Sequence, residues 1–400
     1  MSDDTARRMR VLMVGYEYPP LGGGAGRSMA HLLREGRPCA VDYDCVTVHP
    51  YEGLLAEPMT GYDDPRILYK IGIQKASQSL WTKREVLSWA VRARWIVWQL
   101  LRQKHYDLVH IWSGLPSGLA VGASPPRVIS LRGSDVPGFS GRLSLDYRLM
   151  APYLRRLWRS GRVVANSMGL RDLALRFEKI PIDVIPNSVD AELFSYRVHR
   201  LHSPIRLLFC GRLIPRKRVP LLADAVRALQ QAGHPVVLRV VGDGPCREEY
   251  QARYPDVEWL QTTHEAMPQH YHWADFYVSA SEHEGMSLSV LEALACGCPV
   301  VAVRHEGLES LPAAWKTDDS PADIAATIVA LAQHYDRQNP VVHALAPISW
   351  RGVMMQYRAV YEEVTGIRAD EPSLRARFNL EIPAPRSPVD AVPEPSYAER

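Results

Sequence analysis

No run of about 18 apolar residues occurs in the 400-residue chain, so no membrane-spanning helix is predicted. Cysteine is sparse. Cys39, Cys45, Cys210, Cys246, Cys296 and Cys298 are scattered without a paired Cys-x2-Cys, and Cys296-x-Cys298 is too close for a zinc knuckle. A strong charge bias is also missing: 47 basic and 44 acidic side chains leave a net charge of +3, which argues against nucleic acid as a partner. Met1 to Arg10 is polar rather than a signal peptide, and the apolar run from Val11 reads as a short strand. These absences predict a cytoplasmic protein. There is no Gly-Lys-Ser/Thr of a P-loop, and Gly22-x-Gly24-x-x is followed by Arg27, which breaks the dinucleotide fingerprint. What remains, 46% hydrophobic and 23% charged, is ordinary globular composition, with two or three domains expected from length.

Short β-branched runs alternate with amphipathic ones, the pattern of a parallel α/β architecture. Strands are predicted near 10–15, 43–48, 108–112, 128–132, 163–166 and 183–185, with helices near 26–36, 83–104, 147–159 and 168–177. A second series places strands near 206–210, 236–241, 257–260, 276–280 and 300–303, separated by helices near 220–232, 247–254, 287–296 and 321–334. Two Rossmann-like domains follow, spanning 1–190 and 205–345, with 191–204 as a polar linker. A further helix is expected within 346–366. Residues 367–400 hold six prolines without helical periodicity and read as a disordered tail.

The chemistry concentrates after residue 283. Glu284 and Glu292 stand eight positions apart, one on a loop after an apolar strand, the other inside a helix starting near Ser287. Exposed N–H groups at that helix start form an anion site. A carboxylate beside such a site is unfavourable unless it accepts hydrogen bonds from hydroxyls, as a ribose or a sugar would offer. The loop 16–26, with Gly22, Gly23 and Gly24, lets backbone donors approach an anion closely. Arg212, Arg216, Lys217 and Arg218 precede another helix, where cations oppose the macrodipole unless an anion is near. The bidentate fork of Arg212 and the point charge of Lys217 suit a diphosphate. Arg132 follows a buried strand. It stays charged and cannot act as a neutral base, but it can hold an anion or a sugar hydroxyl, or else pair structurally with Asp135. His110 ends a strand at the same edge, as an acceptor contact or a structural histidine.

In order, these motifs resemble those of retaining, nucleotide-sugar-dependent glycosyltransferases of family 4, which have the GT-B fold. The resemblance rests on Glu284-x7-Glu292, Pro20-x-x-Gly23-Gly24, Gly211-Arg212 with Lys217, Val241-Gly242-Asp243-Gly244-Pro245, Asn166-Ser167, and Pro186-Asn187-Ser188-Val189-Asp190, and covers about residues 10–365. It implies two facing Rossmann-like domains, the first on the acceptor side and the second binding the donor. A last helix beginning at Trp350 would cross back onto the first domain. Gly23, Gly24, Arg212 and Lys217 would meet the donor diphosphate, which the backbone of Met286 and Ser287, within 285–288 (Gly285 to Leu288), would cap. Gly242 would lie beside the nucleotide, Glu292 on the ribose and Glu284 on sugar hydroxyls. Arg132 occupies a slot where relatives carry a histidine near the reacting sugar, so Arg132, Asp135 and His110 are the acceptor-side candidates. Glu284, Arg212, Lys217 and Arg132 are the catalytic candidates.

No metal and no cofactor are implied, the nucleotide-sugar being a substrate. Asp63-Asp64 and Asp318-Asp319 are adjacent pairs at expected surface turns rather than a metal loop. Leu260-Gln261-Thr262 departs from the family's base-binding pattern, which leaves uridine and guanosine both open. The acceptor would be a glycan, a lipid-linked sugar or a small molecule. Two other readings stay open at this level: a non-catalytic sugar-nucleotide-binding homologue, and a GT-B epimerase. The helix near 83–104, with Trp89, Trp95 and Trp98, has a narrow polar arc and is expected to be mostly buried. The cluster Arg148, Arg155, Arg156, Arg159 and Arg162 is a solvated face that is also suited to anionic lipid or a phosphorylated carrier, for peripheral contact at the inner membrane face.

Overall fold

A computed structural model describes residues 8–19, 21–49, 54–58, 67–72, 82–122, 125–139, 144–197, 201–308, 311, 314–333 and 349–368. The proposed tail beyond Arg368 and the Asp63-Asp64 pair lie outside these residues. Among the described residues, two sheets account for the strands. The first contains β1 (Met9–Gly15), β2 (Val41–His49), β3 (Leu54–Pro58), β4 (Ile67–Gly72), β5 (Leu108–Trp112), β6 (Arg127–Leu131), β7 (Arg162–Ala165) and β8 (Ile182–Val184), in the order β3-β4-β2-β1-β5-β6-β7-β8. All its neighbours are parallel except β3 against β4. The second contains β9 (Ile205–Cys210), β10 (Val236–Val241), β11 (Glu258–Leu260), β12 (Phe276–Ser279), β13 (Val300–Val303) and β14 (Ala314–Thr317), in the order β11-β10-β9-β12-β13-β14, all parallel. The segment 191–204 lies between the two sheets in sequence.

In each sheet the chain winds outward from the middle in one direction and then returns to wind in the other. The reversals fall between β1 and β5 and between β9 and β12. Ligands of open α/β sheets bind beyond the carboxyl ends of the strands at such switch points. The loops leaving β1, β9 and β12 carry Gly23, Lys217 and Glu284 respectively, so the topology alone gathers the candidate residues.

Helices flank both sheets: α1 (Gly24–Gly36), α2 (Lys83–Gln103), α3 (Ser144–Arg159) and α4 (Met168–Phe177) with the first, and α5 (Val219–Gln231), α6 (Arg247–Arg253), α7 (Met267–Trp273), α8 (Leu288–Ala295) and α9 (Pro321–Gln333) with the second. Local chemistry sets their ends. Thr82 and Glu85 form a reciprocal capping box at α2, and the Ser167 hydroxyl accepts from the Leu170 amide at α4. The final helix, α10 (Trp350–Thr365), is capped by Ser349 and stopped by Gly366 in the left-handed region. It packs on α1 and β6, and Trp350, Val353, Met354, Tyr357 and Tyr361 share a core with Met13, Met29 and Tyr43. The last helix therefore belongs to the first domain's core, and the architecture is GT-B.

Three expectations are corrected. The first sheet has eight strands rather than six, because β3 and β4 are interrupted by Glu57, Pro58 and Lys70 and lack the unbroken apolar run of the central strands. The second sheet gains β14, only four residues long, together with the short helix α7, whose two histidines hide its periodicity. Helix α2 does not bury its whole apolar arc. Trp89, Ala93, Ile96 and Val97 face the core, but Leu87, Val91, Trp95 and Trp98 are half exposed or more. Among the described residues, no helix is long and apolar enough to cross a membrane.

Candidate active site

Two helix amino termini meet where the sheets face each other. Neither α1, entered through Gly23, nor α8, entered through Ser287, has a side-chain cap. A Cβ built on Gly24, at the start of α1, would lie 3.6 Å from Leu288 at the start of α8. Uncapped first-turn N–H groups on both sides concentrate positive potential in one place. Cations surround it. A Cβ at Gly23 would stand 3.2 Å from the Arg212 guanidinium, which explains the bare backbone there. Glu17, buried beneath this loop, accepts from the Gly23 amide at 3.2 Å and holds the loop's shape.

Lys217 and Arg216 both reach Glu284. Lys217 Nζ donates to Glu284 Oε1, and Arg216 Nη1 lies 3.3 Å from the same oxygen while also donating to the His283 carbonyl. Burial pushes the Glu284 carboxyl up, but the adjacent Lys217 and Arg216 outweigh it and hold the group down at about 2. Gly285 sits against Asn166, whose amide would be 2.6 Å from any Cβ there. Met286 is buried and its carbonyl accepts from Asn187 Nδ2 at 2.8 Å.

Glu292 lies on α8, 4% exposed, with Oε2 accepting from the Tyr271 hydroxyl at 2.8 Å. Burial raises its carboxyl; the Tyr271 hydrogen bond and the charge of Arg27 oppose this. Its Oε1 is 4.0 Å from His264 Nδ1. That contact is not an ion pair at neutral pH, because burial and Arg27 hold His264 down at about 4. Instead the neutral ring accepts from Arg27 Nη1 at 3.0 Å, joining α1 of the first domain to the second. Gly242 lies farther back. With φ of +152°, its missing Cβ would be 2.0 Å from the Gly211 carbonyl, so this glycine packs the loop after β10 under the loop after β9.

On the first domain, the Arg132 guanidinium lies 3.4 Å over the Trp112 ring and donates through Nη1 to Asn187 Oδ1 at 3.1 Å. Its Nε is buried and has no hydrogen-bond partner. Burial lowers its pKa, an effect that Tyr357 and Asp135 counter. Asp135 does not pair with the guanidinium. Its carboxylate accepts the backbone amides of Gly114, Arg132 and Gly133 at 2.7, 2.8 and 2.9 Å, so it braces the loop. Asn187 thus links Arg132 to Met286, one hydrogen bond to each domain's loop. His110 departs from the acceptor-side expectation. Its ring is fully buried beneath α10, with Nδ1 2.6 Å from the Tyr361 hydroxyl and Nε2 2.8 Å from the Ser130 hydroxyl. Both nitrogens are taken inside the core, and burial followed by the charge of Arg132 keeps the ring neutral.

Residues Arg27, His264, Tyr271 and Asn187 were not among the site candidates. Arg27 carried a readable signal, since a cation in the first turn of a helix opposes the dipole just as Arg216 to Arg218 do. The Asp318-Asp319 pair binds arginines, Arg304 at 3.2 Å and Arg218 at 3.1 Å, and among the described residues no cluster of His, Cys, Asp and Glu could hold a metal ion.

Two Rossmann-like domains whose loops bring uncapped helix termini and cations together give the architecture of the GT-B class. Comparison with known proteins agrees: the family described as Glycosyltransferase Family 4 matches residues 22–193, and Glycosyl transferases group 1 matches 204–334. The chain belongs to the family 4 type of GT-B glycosyltransferases. It is 28% identical over 245 residues to the putative teichuronic acid biosynthesis glycosyltransferase TuaC of Bacillus subtilis, covering 56% of this chain and 61% of that relative's length. It is 22% identical over 382 residues to an uncharacterized glycosyltransferase of Methanocaldococcus jannaschii, covering 89% of this chain and 99% of the relative. Sucrose-phosphate synthase from Thermosynechococcus elongatus shares the fold, with a TM-score of 0.71 at 16% identity over 90% of this chain and 100% of that one.

Proposed function

We propose that the protein is a retaining, metal-independent hexosyltransferase that moves a sugar from a UDP- or GDP-linked donor to a glycan, lipid-linked or small-molecule acceptor in glycoconjugate biosynthesis. The meeting of two uncapped helix amino termini with Arg212 and Lys217 supports this most directly, because that combination suits a diphosphate. The second domain takes the donor and the first takes the acceptor. Glu292 accepts from the ribose through the oxygen that Tyr271 does not use. Glu284 contacts sugar hydroxyls and holds Lys217 in place before the donor arrives. The acceptor oxygen attacks the anomeric carbon on the face the diphosphate is leaving. As that carbon–oxygen bond breaks, the departing phosphate oxygen takes the acceptor's proton. No protein nucleophile is needed. The rate depends on stabilising charge that develops on the leaving diphosphate, which Arg212, Lys217 and the two helix termini face without reorganising. Arg132 lies on the acceptor side, its charge available to an anionic acceptor or to the leaving group. The TuaC name and the ordered motifs both support a role in building a glycan.

A panel of UDP- and GDP-sugars, with release of free nucleoside diphosphate followed by coupled assay, tests this. One donor should be hydrolysed slowly, with the rate unchanged by EDTA. Loss of turnover on chelation, restored by magnesium or manganese, would make the positive charge of the site insufficient. Inactivity with every donor, despite nucleotide binding, would favour the non-catalytic homologue.

A further inference from the structure

The first domain carries an apolar stripe that stands exposed among the described residues. On α2, Leu87, Val91, Trp95 and Trp98 fall at spacings of four, four and three, one line along the helix, and they are 61%, 63%, 57% and 50% exposed. Helix propensity does not call for two tryptophans on a solvated face, and burying them would release their area from water. Basic side chains border the stripe: Arg84, Arg94 and Arg102 are exposed on the same helix, and the Arg102 guanidinium lies 4.1 Å over Trp98. None of the exposed positions of α2 holds a carboxylate.

The face continues onto α3. Arg94 donates to the Leu119 carbonyl at 3.4 Å, and a Cβ at Gly118 would meet Tyr153 and Leu157 of α3, so the turn at Ser117–Ala120 is packed between the two helices. Leu149 of α3 is 73% exposed and stands beside exposed Arg148. Glu178 occupies Arg155 and Arg159, while Arg156 remains exposed.

We infer that the α2–α3 face docks on an anionic lipid bilayer, with Trp95 and Trp98 at the headgroup level. Tryptophan partitions to that depth, and arginines near an anionic surface add to the attraction. A second copy of this chain fits less well, because a two-fold interface would set the same arginines against each other. Geometry gives docking a use. Helix α3 follows β6, whose end carries Arg132, and Phe139, just before α3, lies 5.9 Å from His283 beside Glu284. A bilayer under this face would bring the cleft rim to the membrane surface, within reach of an acceptor on a lipid anchor.

The full-length protein would be mixed with phosphatidylcholine vesicles, with or without about a third phosphatidylglycerol, and sedimented. Binding to the anionic vesicles alone, weakening as salt rises, is expected. Trp95→Ser with Trp98→Ser should reduce it at least about tenfold, and Arg84→Gln with Arg148→Gln about thirtyfold, with melting temperatures unchanged because all four side chains are exposed. Wild-type protein staying in the supernatant with both vesicles would overturn the inference, as would variants that bind like wild type. A concentration-dependent dimer that the tryptophan variant abolishes would assign the stripe to a second copy instead. Vesicle binding needs neither donor nor acceptor, so it succeeds or fails independently of sugar transfer.

Discussion

Glu284→Gln should destabilise the free protein, and a nucleoside diphosphate should recover part of the loss. In the free protein the carboxylate neutralises two cations, Lys217 and Arg216, whose side chains are only 13% and 23% exposed. The shift of the carboxyl from its ordinary 4.5 to about 2 corresponds to about 3 kcal/mol at neutral pH. Removing the charge forfeits that and leaves two partly buried cations side by side. Because the folded value is depressed, the stabilisation is fully present above about pH 4.5 and is lost as pH falls through about 2. Urea unfolding at pH 7 should therefore show Glu284→Gln less stable by about 2–3 kcal/mol, the gap narrowing below pH 4.5. A cycle with Lys217→Met should return a coupling of at least about 1 kcal/mol. Saturating UDP or GDP supplies a replacement anion, so the variant should gain more from nucleotide than wild type does, while losing turnover. A variant as stable as wild type at pH 7, or a coupling near zero, would refute this assignment of charge.

Glu292→Ala should weaken nucleoside diphosphate binding by about 10- to 150-fold, the loss of a hydrogen bond to a charged acceptor worth ~1.5–3 kcal/mol, and calorimetric titration would show it; equal affinity would remove Glu292 from the ribose. Arg132→Ala should lower kcat if the guanidinium acts on the leaving group, or raise the acceptor KM if it recognises the acceptor, and Arg132→Lys should recover little because the fork that reaches Asn187 is lost. Normal kinetics in both variants, with only a fall in melting temperature, would make Arg132 a brace between Trp112 and Asn187.

The sequence carried most of what a single element dictates. The places of Glu284 on a loop and Glu292 inside a helix were readable because each is set by one element, and the glycine-rich turns because bare backbone is itself a spacing signal. What could not be read are contacts set by two elements at once. Arg27 meets His264, and Lys217 meets Glu284, across sequence separations of 237 and 67 residues that no local pattern encodes. His110 shows the same limit from inside a strand. β5 is buried at every position, so the two-residue alternation that would reveal which way a side chain points is absent. The outward turn of Trp95 and Trp98 escaped for a related reason: a wide apolar arc states how much of a helix avoids water, not how much of it the fold can cover.

The crossing of α10 has a consequence for how the chain is made. Tyr43 and Tyr361 hydroxyls stand 2.9 Å apart, Tyr357 reaches Ser130 at 2.9 Å, and Arg358 donates to the Cys39 carbonyl. The first domain is synthesised first, yet a wall of its core arrives more than 300 residues later. Until then β1, β2 and α1 must wait on the ribosome with an apolar groove open. Chaperone engagement is therefore expected to last until the second domain has been translated, and a chain cut before Trp350 should aggregate rather than yield a free amino-terminal domain.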